Sequence, residues 1–171
     1  IHDFIIFDGG VKKAARPNQY FAIKAAQPRV RNKQNGIIWH SQGSGKSLTM
    51  VWLAQWIREN VEDARVVIIT DRDELDKQIE NGFRYAGEQI KRAMSGDKLI
   101  GMLNAAEPWL ICSLIHKFGN KNDGDTISVG GKKATKSLDL YLKELAKSLP
   151  ADFRAKGNIY VFIDECHRTQ G

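Results

Sequence analysis

The 171-residue chain predicts an α/β domain, a mainly parallel sheet flanked by helices. Three observations carry that reading. Four short apolar runs are near-continuous rather than alternating and rich in β-branched residues, as strands buried on both faces are. Stretches with helical spacing fill the gaps between them, and strand-helix alternation argues a parallel sheet. A glycine loop, Gly43-Ser44-Gly45-Lys46-Ser47, sits between the first run and the first helical stretch.

The elements follow in order. Gly36-Ile37-Ile38-Trp39 predicts a first strand at 37–39. Ser47 to Arg58 is apolar nearly all round, as a helix packed under a sheet is. Val66-Val67-Ile68-Ile69 predicts the second strand. Asp71 to Gly82 opens with Asp71 and Glu74 at capping-box spacing and carries Leu75, Ile79 and Phe83 on one stripe. Trp109-Leu110-Ile111-Cys112 predicts the third strand. Residues 119–136 break the pattern, with Gly119, Gly124, Gly130 and Gly131 among Asn, Asp and Lys, and predict a surface loop with a weak hairpin at 126–129. Ser137 caps a helix bearing Leu138, Leu142, Leu145 and Leu149, which Pro150 ends. Ile159-Tyr160-Val161-Phe162-Ile163 predicts the fourth strand.

The bulk properties narrow the class. Composition is that of an ordinary globular domain, and no apolar run reaches membrane-spanning length. The two cysteines, Cys112 and Cys166, make no disulfide framework and lack metal-ligand spacing. A reduced, cytoplasmic setting with no membrane partner is expected. Net charge is +6, of which residues 1–35 hold +5 (seven Lys/Arg against Asp3 and Asp8). Such a basic stretch faces either solvent or a polyanion.

Two segments carry chemistry. Gly43 and Gly45 lack side chains, so backbone N–H groups can close around phosphate oxygens, aided by the positive end of the following helix. Ser44 completes the loop, Lys46 would reach the terminal phosphates, and the Ser47 hydroxyl would bind magnesium. The full phosphate-loop pattern has Gly where this chain has His40. The second segment is Asp164-Glu165-Cys166-His167, delivered by the fourth strand to its carboxyl end, where ligands sit in open α/β sheets. Asp164 would hold hydrated Mg2+ and Glu165 would deprotonate the attacking water. Cys166 reads as a small packed residue; His167 is either a surface histidine or a link between nucleotide and nucleic acid.

Gly43 to Ser47 resembles motif I of superfamily 2 helicases and translocases, and Asp164 to His167 resembles their motif II. Arg16-Pro17-Asn18-Gln19-Tyr20 is similar to the upstream Gln motif, whose amide reads the adenine edge of ATP; an amide can donate and accept in one plane. Val66 to Gln78 resembles motif Ia and Cys112 to Phe118 motif Ib. That resemblance implies nucleic-acid backbone contacts from Thr70, Arg72, Ser113 and Lys117, although each residue type also serves as a cap or surface residue. Trp39-His40-Ser41-Gln42, the Ile68 to Gln78 segment, Asp164 to Gln170, and Phe4 to Phe7 with Arg16 to Tyr20 together resemble the restriction (R) subunit of type I restriction-modification enzymes. The resemblance covers nearly the whole chain, most weakly at 84–108 and 119–158.

The family implies a RecA-like fold, ATP and Mg2+ as cofactors, and translocation of double-stranded DNA before cleavage. It implies work alongside methylation and specificity subunits and a second motor lobe of the same polypeptide. Residues 1–15 are expected to be a linker from an upstream nuclease domain, with 16–171 the first motor lobe, incomplete after motif II. The strand of motif III is expected to lie between the loop strand and the motif II strand, so residues 1–171 alone should be unstable. Without the second lobe's arginine finger they should hydrolyse ATP poorly. Three alternatives stand: another superfamily 2 DNA or RNA helicase, a small-molecule kinase, or a non-catalytic nucleotide-binding module. Flanking sequence discriminates the first; DNA-stimulated ATPase and steady-state hydrolysis discriminate the others.

Overall fold

A computed structural model describes residues 4–8, 10–41, 43–70, 73–114, 149 and 153–164. Its frame is a four-stranded parallel sheet of β3 (Ala64–Thr70), β4 (Lys91–Ala93), β5 (Leu110–Leu114) and β6 (Asn158–Ile163), in the order β4-β5-β3-β6. Strand β3 is central, with Ile68 aligned to Cys112 on one side and to Phe162 on the other. All of β3 except Ile69 is buried, the condition that a continuous apolar run satisfies.

Helices cover both faces. On one, Val51, Trp52 and Ile57 of α2 (Lys46–Asn60) join Ile79 and Phe83 of α3 (Asp73–Tyr85) against Val66, Ile68, Leu110 and Cys112. On the other, Leu99, Met102 and Leu103 of α4 (Gly96–Asn104) pack on Val67, Ala93 and Ile111. Each fully buried large side chain of this kind contributes roughly 1.5–3 kcal/mol. Helix α1 (Pro17–Arg31) lies against α2 and buries Ile23. An antiparallel hairpin, β1 (Ile5–Asp8) and β2 (Val11–Ala14), adds Ile6 to the same core. Among the described residues no helix is long and apolar enough to cross a membrane.

Arg65 fastens the base of the sheet. It is 2% exposed, and its guanidinium donates to five carbonyls, those of Met102, Leu103, Ala105, Pro108 and Lys156, at 2.7–3.3 Å. Two of these, Met102 and Leu103, lie in the last turn of α4 and Ala105 is its C-cap; that turn has no basic residue of its own, and Arg65 supplies the positive charge that a helix C-terminus favours. Burial pushes the guanidinium below the usual arginine range, and Glu107 partly opposes that. Gly157, at φ +80°, passes close by: a Cβ there would lie 2.5 Å from the Asp63 carbonyl oxygen and 3.0 Å from Arg65 Cδ.

Several expectations are corrected. Residues 37–39 form no strand; they lie in irregular chain at 34–41, with Ile37 79% and Trp39 85% exposed. Among the described residues no strand pairs with this run, although β6 leaves its outer edge open, so the backbone groups at 37–39 have no ladder. The hairpin β1-β2 lies within residues 1–15, the stretch expected to be a linker, and leaves that expectation open. The helix expected at 71–82 spans Asp73–Tyr85, with Asp71 outside the described residues. The 119–136 loop, the helix from Ser137 and Pro150 also lie outside them.

Candidate nucleotide site

Connectivity places the glycine loop. Helix α2 has 15 residues, about 22 Å of rise, and β3 has seven, about 23 Å. Only residues 61–63 join the two, so α2 ends at the amino edge of β3 and runs antiparallel to it. Its start, and the loop before it, therefore lie at the carboxyl edge. Asp164 emerges at that edge from β6, and its N–H donates to the Ile69 carbonyl at 3.0 Å. The loop and the first motif II acid thus share one edge of the sheet, where α/β proteins bind ligands.

The loop is held in an unusual backbone course. Gly43 has φ +77° and Gly45 has φ +86°, both left-handed and suited to glycine. The Ser44 hydroxyl donates to the Ser41 carbonyl at 2.7 Å, closing a local turn. Gly45 caps α2 without any side-chain cap bond, and the first turn of the helix has no acidic residue. The helix start therefore presents backbone N–H groups and a positive dipole end with no competing carboxylate from its own first turn, which suits a phosphate. Lys46 and Ser47, both partly buried, open that turn.

Gln19 stands behind the loop, at 2% exposure. Its Oε1 accepts from the Arg16 backbone N–H at 2.8 Å and its Nε2 donates to the Gly45 carbonyl at 2.9 Å. One neighbour only donates and the other only accepts, which fixes the amide's orientation. Arg16, the N-cap of α1, is exposed. Sequence reasoning missed two further loop neighbours. Asn18 Nδ2 donates to the Ser44 carbonyl at 3.4 Å, and Thr49 Oγ1 donates to the Gly45 carbonyl at 3.2 Å. Asn18 adjoins Gln19, and Thr49 lies one helical turn beyond Gly45; those spacings were the available signals. His40 is partly buried, with Nδ1 lacking a hydrogen-bond partner among the described residues.

The residues expected to touch nucleic acid divide. Thr70 and Ser113 are each 1% exposed, and neither hydroxyl has a hydrogen-bond partner among the described residues. They end β3 and approach the end of β5 on opposite faces of the sheet, inside rather than on the surface. Arg72, Lys117, Glu165, Cys166 and His167 lie outside the described residues. A separate cleft of about 580 Å³ opens at the other end of the strands, between Arg58, Glu88, Lys91 and Trp109. Two of its charges satisfy each other: Arg58 pairs with Glu88 at 2.7 Å and stacks over Trp109 at 4.5 Å. It is remote from the loop by the same connectivity argument.

Known proteins place this geometry in context. A Staphylococcus aureus protein, the type I restriction enzyme SauMSSORF170P endonuclease subunit, is 28% identical over 159 residues, covering 92% of this chain and 15% of that one. The putative type I restriction enzyme MjaIXP endonuclease subunit of Methanocaldococcus jannaschii is 32% identical over 134 residues, 71% of this chain and 13% of that one. The Haemophilus influenzae type I restriction enzyme HindI endonuclease subunit is 26% identical over 188 aligned residues, 99% of this chain and 16% of that one. The chain therefore spans 13–16% of the length of these relatives. Residues 18–171, which hold the Gln19 amide, the glycine loop and the Asp164 edge, match the model of the SWI2/SNF2 ATPase, and the chain belongs to that family.

Proposed function

We propose that this chain is the first ATP-hydrolysing lobe of a type I restriction endonuclease R subunit, driving translocation of double-stranded DNA before cleavage. The observation that carries the reading is the glycine loop opening α2 at the sheet edge where Asp164 emerges. The relatives named above support the restriction setting. In this reading Gly43, Ser44 and Gly45 wrap the phosphates with backbone N–H groups, and Lys46 neutralises the terminal ones. Glu165 activates the attacking water. The Gln19 amide keeps one N–H and one lone pair beyond its two backbone bonds, the pair of groups an adenine edge requires, and Arg16 flanks it.

Magnesium fits the donors of this edge. Among the described residues no group of three or more His, Cys, Asp or Glu gathers as a self-sufficient metal site. The Ser47 hydroxyl and Asp164 carboxylate are hard oxygen ligands of the kind Mg2+ takes when phosphate and water complete its shell. Bound there, the ion would neutralise charge on the transferring phosphoryl group. Arg72 and Lys117 are assigned to the DNA backbone; Thr70 and Ser113 stand at or near the carboxyl ends of β3 and β5. The methylation and specificity subunits and a second motor lobe complete the assembly.

The test uses the full-length protein. Lys46→Ala should weaken ATP binding and remove DNA-stimulated hydrolysis. Glu165→Gln should keep ATP binding while hydrolysis falls roughly 10²-fold or more. Unchanged hydrolysis in Glu165→Gln refutes the base assignment, and unchanged ATP binding in Lys46→Ala refutes the loop assignment.

A further inference from the structure

We infer that Asn18 and Gln19, at the start of α1, are positioning residues for the phosphate loop: they set its backbone N–H groups whatever base the nucleotide carries. The inference rests on the loop reading above and adds a second task to the base-reading amide. Its basis is which atoms of the loop these side chains hold. Both grip carbonyls, Asn18 that of Ser44 and Gln19 that of Gly45, across 26 residues of sequence. In a trans peptide the carbonyl of one residue and the N–H of the next point in opposite directions. Drawing the Ser44 and Gly45 carbonyls toward α1 therefore turns the Gly45 and Lys46 N–H groups away from α1, to the side a phosphate must occupy.

Packing agrees with that division. The Gln19 amide is almost fully buried, and a Cβ on residue 45 would collide with its Nε2, so the glycine admits the amide to the carbonyl. The Gly45 carbonyl also accepts from the Thr49 N–H at 3.1 Å and from Thr49 Oγ1 at 3.2 Å, so three donors fix one peptide plane. On the other side of the amide, Oε1 ties the grip to the first turn of α1 through Arg16 N–H. The Asn18 bond, at 3.4 Å from an exposed side chain, is the weaker of the two.

The experiment measures binding of ATP, GTP and inorganic tripolyphosphate to the full-length protein by calorimetry. Gln19→Met, which keeps length without donor or acceptor, should weaken GTP and tripolyphosphate by a similar factor of about five- to tenfold, as loss of one hydrogen bond implies, and ATP by at least as much, because its base contact goes too. Asn18→Ala should weaken all three by about twofold. Unchanged tripolyphosphate binding in Gln19→Met, with ATP binding alone reduced, overturns the inference and leaves a base reader only. Hydrogen exchange of α1 accompanies the measurement. If Gln19→Met loses protection there, Asn18→Ala decides, and its tripolyphosphate affinity must fall. Lys46→Ala separates the two levels: tripolyphosphate binding that survives it refutes the loop itself, not the grip upon it.

Discussion

Val66–Ile69 and Ile37–Trp39 look alike in the sequence, short and apolar with β-branched residues, yet they end in opposite environments. Val66 and Ile68 are 0% exposed at the centre of the sheet, whereas Ile37, Ile38 and Trp39 are 79%, 39% and 85% exposed. The difference lies in their edges. Strand β3 has β5 on one side and β6 on the other, so every ladder bond has a partner. The 37–39 run has no described strand beside it, and neither has the outer edge of β6, where Val161 and Ile163 are 52% and 54% exposed. An apolar run signals that a segment can be buried; whether it becomes a strand depends on which partner is present.

The largest expected effect breaks the buried member of the pair. Ile68→Ala removes a side chain packed between α2 and the centre of the sheet and should cost about 2–5 kcal/mol, because the cavity adds to the lost transfer energy. Denaturant unfolding, with hydrogen exchange of β3, β5 and β6 to localise the loss, checks it; a cost under about 1 kcal/mol would mean that the site collapses. Next comes Arg65→Met, which leaves five carbonyls at the amino edge without their shared donor. It should cost roughly 2–3 kcal/mol, with exchange protection lost first at the end of α4 and the starts of β5 and β6. Protection lost evenly across the sheet instead would show that Arg65 does not act as a local fastener.

What the sequence made legible follows the same division. Strands β3, β5 and β6 and helices α2 and α3 were readable because burial on a sheet leaves a continuous run or a stripe such as Ile79 and Phe83. The hairpin, α1, β4 and α4 were not. Helix α1 carries Pro28 within it and buries polar Gln19 and Gln27 beside Ile23, so its pattern is weak; β4 has three residues, too few for any period. At the candidate site the loop's residue types were legible because left-handed φ angles demand glycine at 43 and 45. The grip of Asn18 and Gln19 on its carbonyls was not, since it joins segments 26 residues apart through side chains that fit equally well at a helix start.

The smallest effect belongs to the exposed member. With Trp39 85% exposed, its removal takes little apolar surface from any core, and Trp39→Ala should change stability by less than about 0.5 kcal/mol, as substitutions on open surface do. Hydrogen exchange of 37–39 should be fast in the same protein, because these amides lack a ladder. Both readouts are best taken in the full-length protein, where the expectation of an intervening strand between the loop run and β6 makes the contrary demand. A cost near that of Ile68→Ala, together with slow exchange at 37–39, means that such a strand covers the run there. The two apolar segments would then be the same kind of element, distinguished only by whether the polypeptide beside them is present.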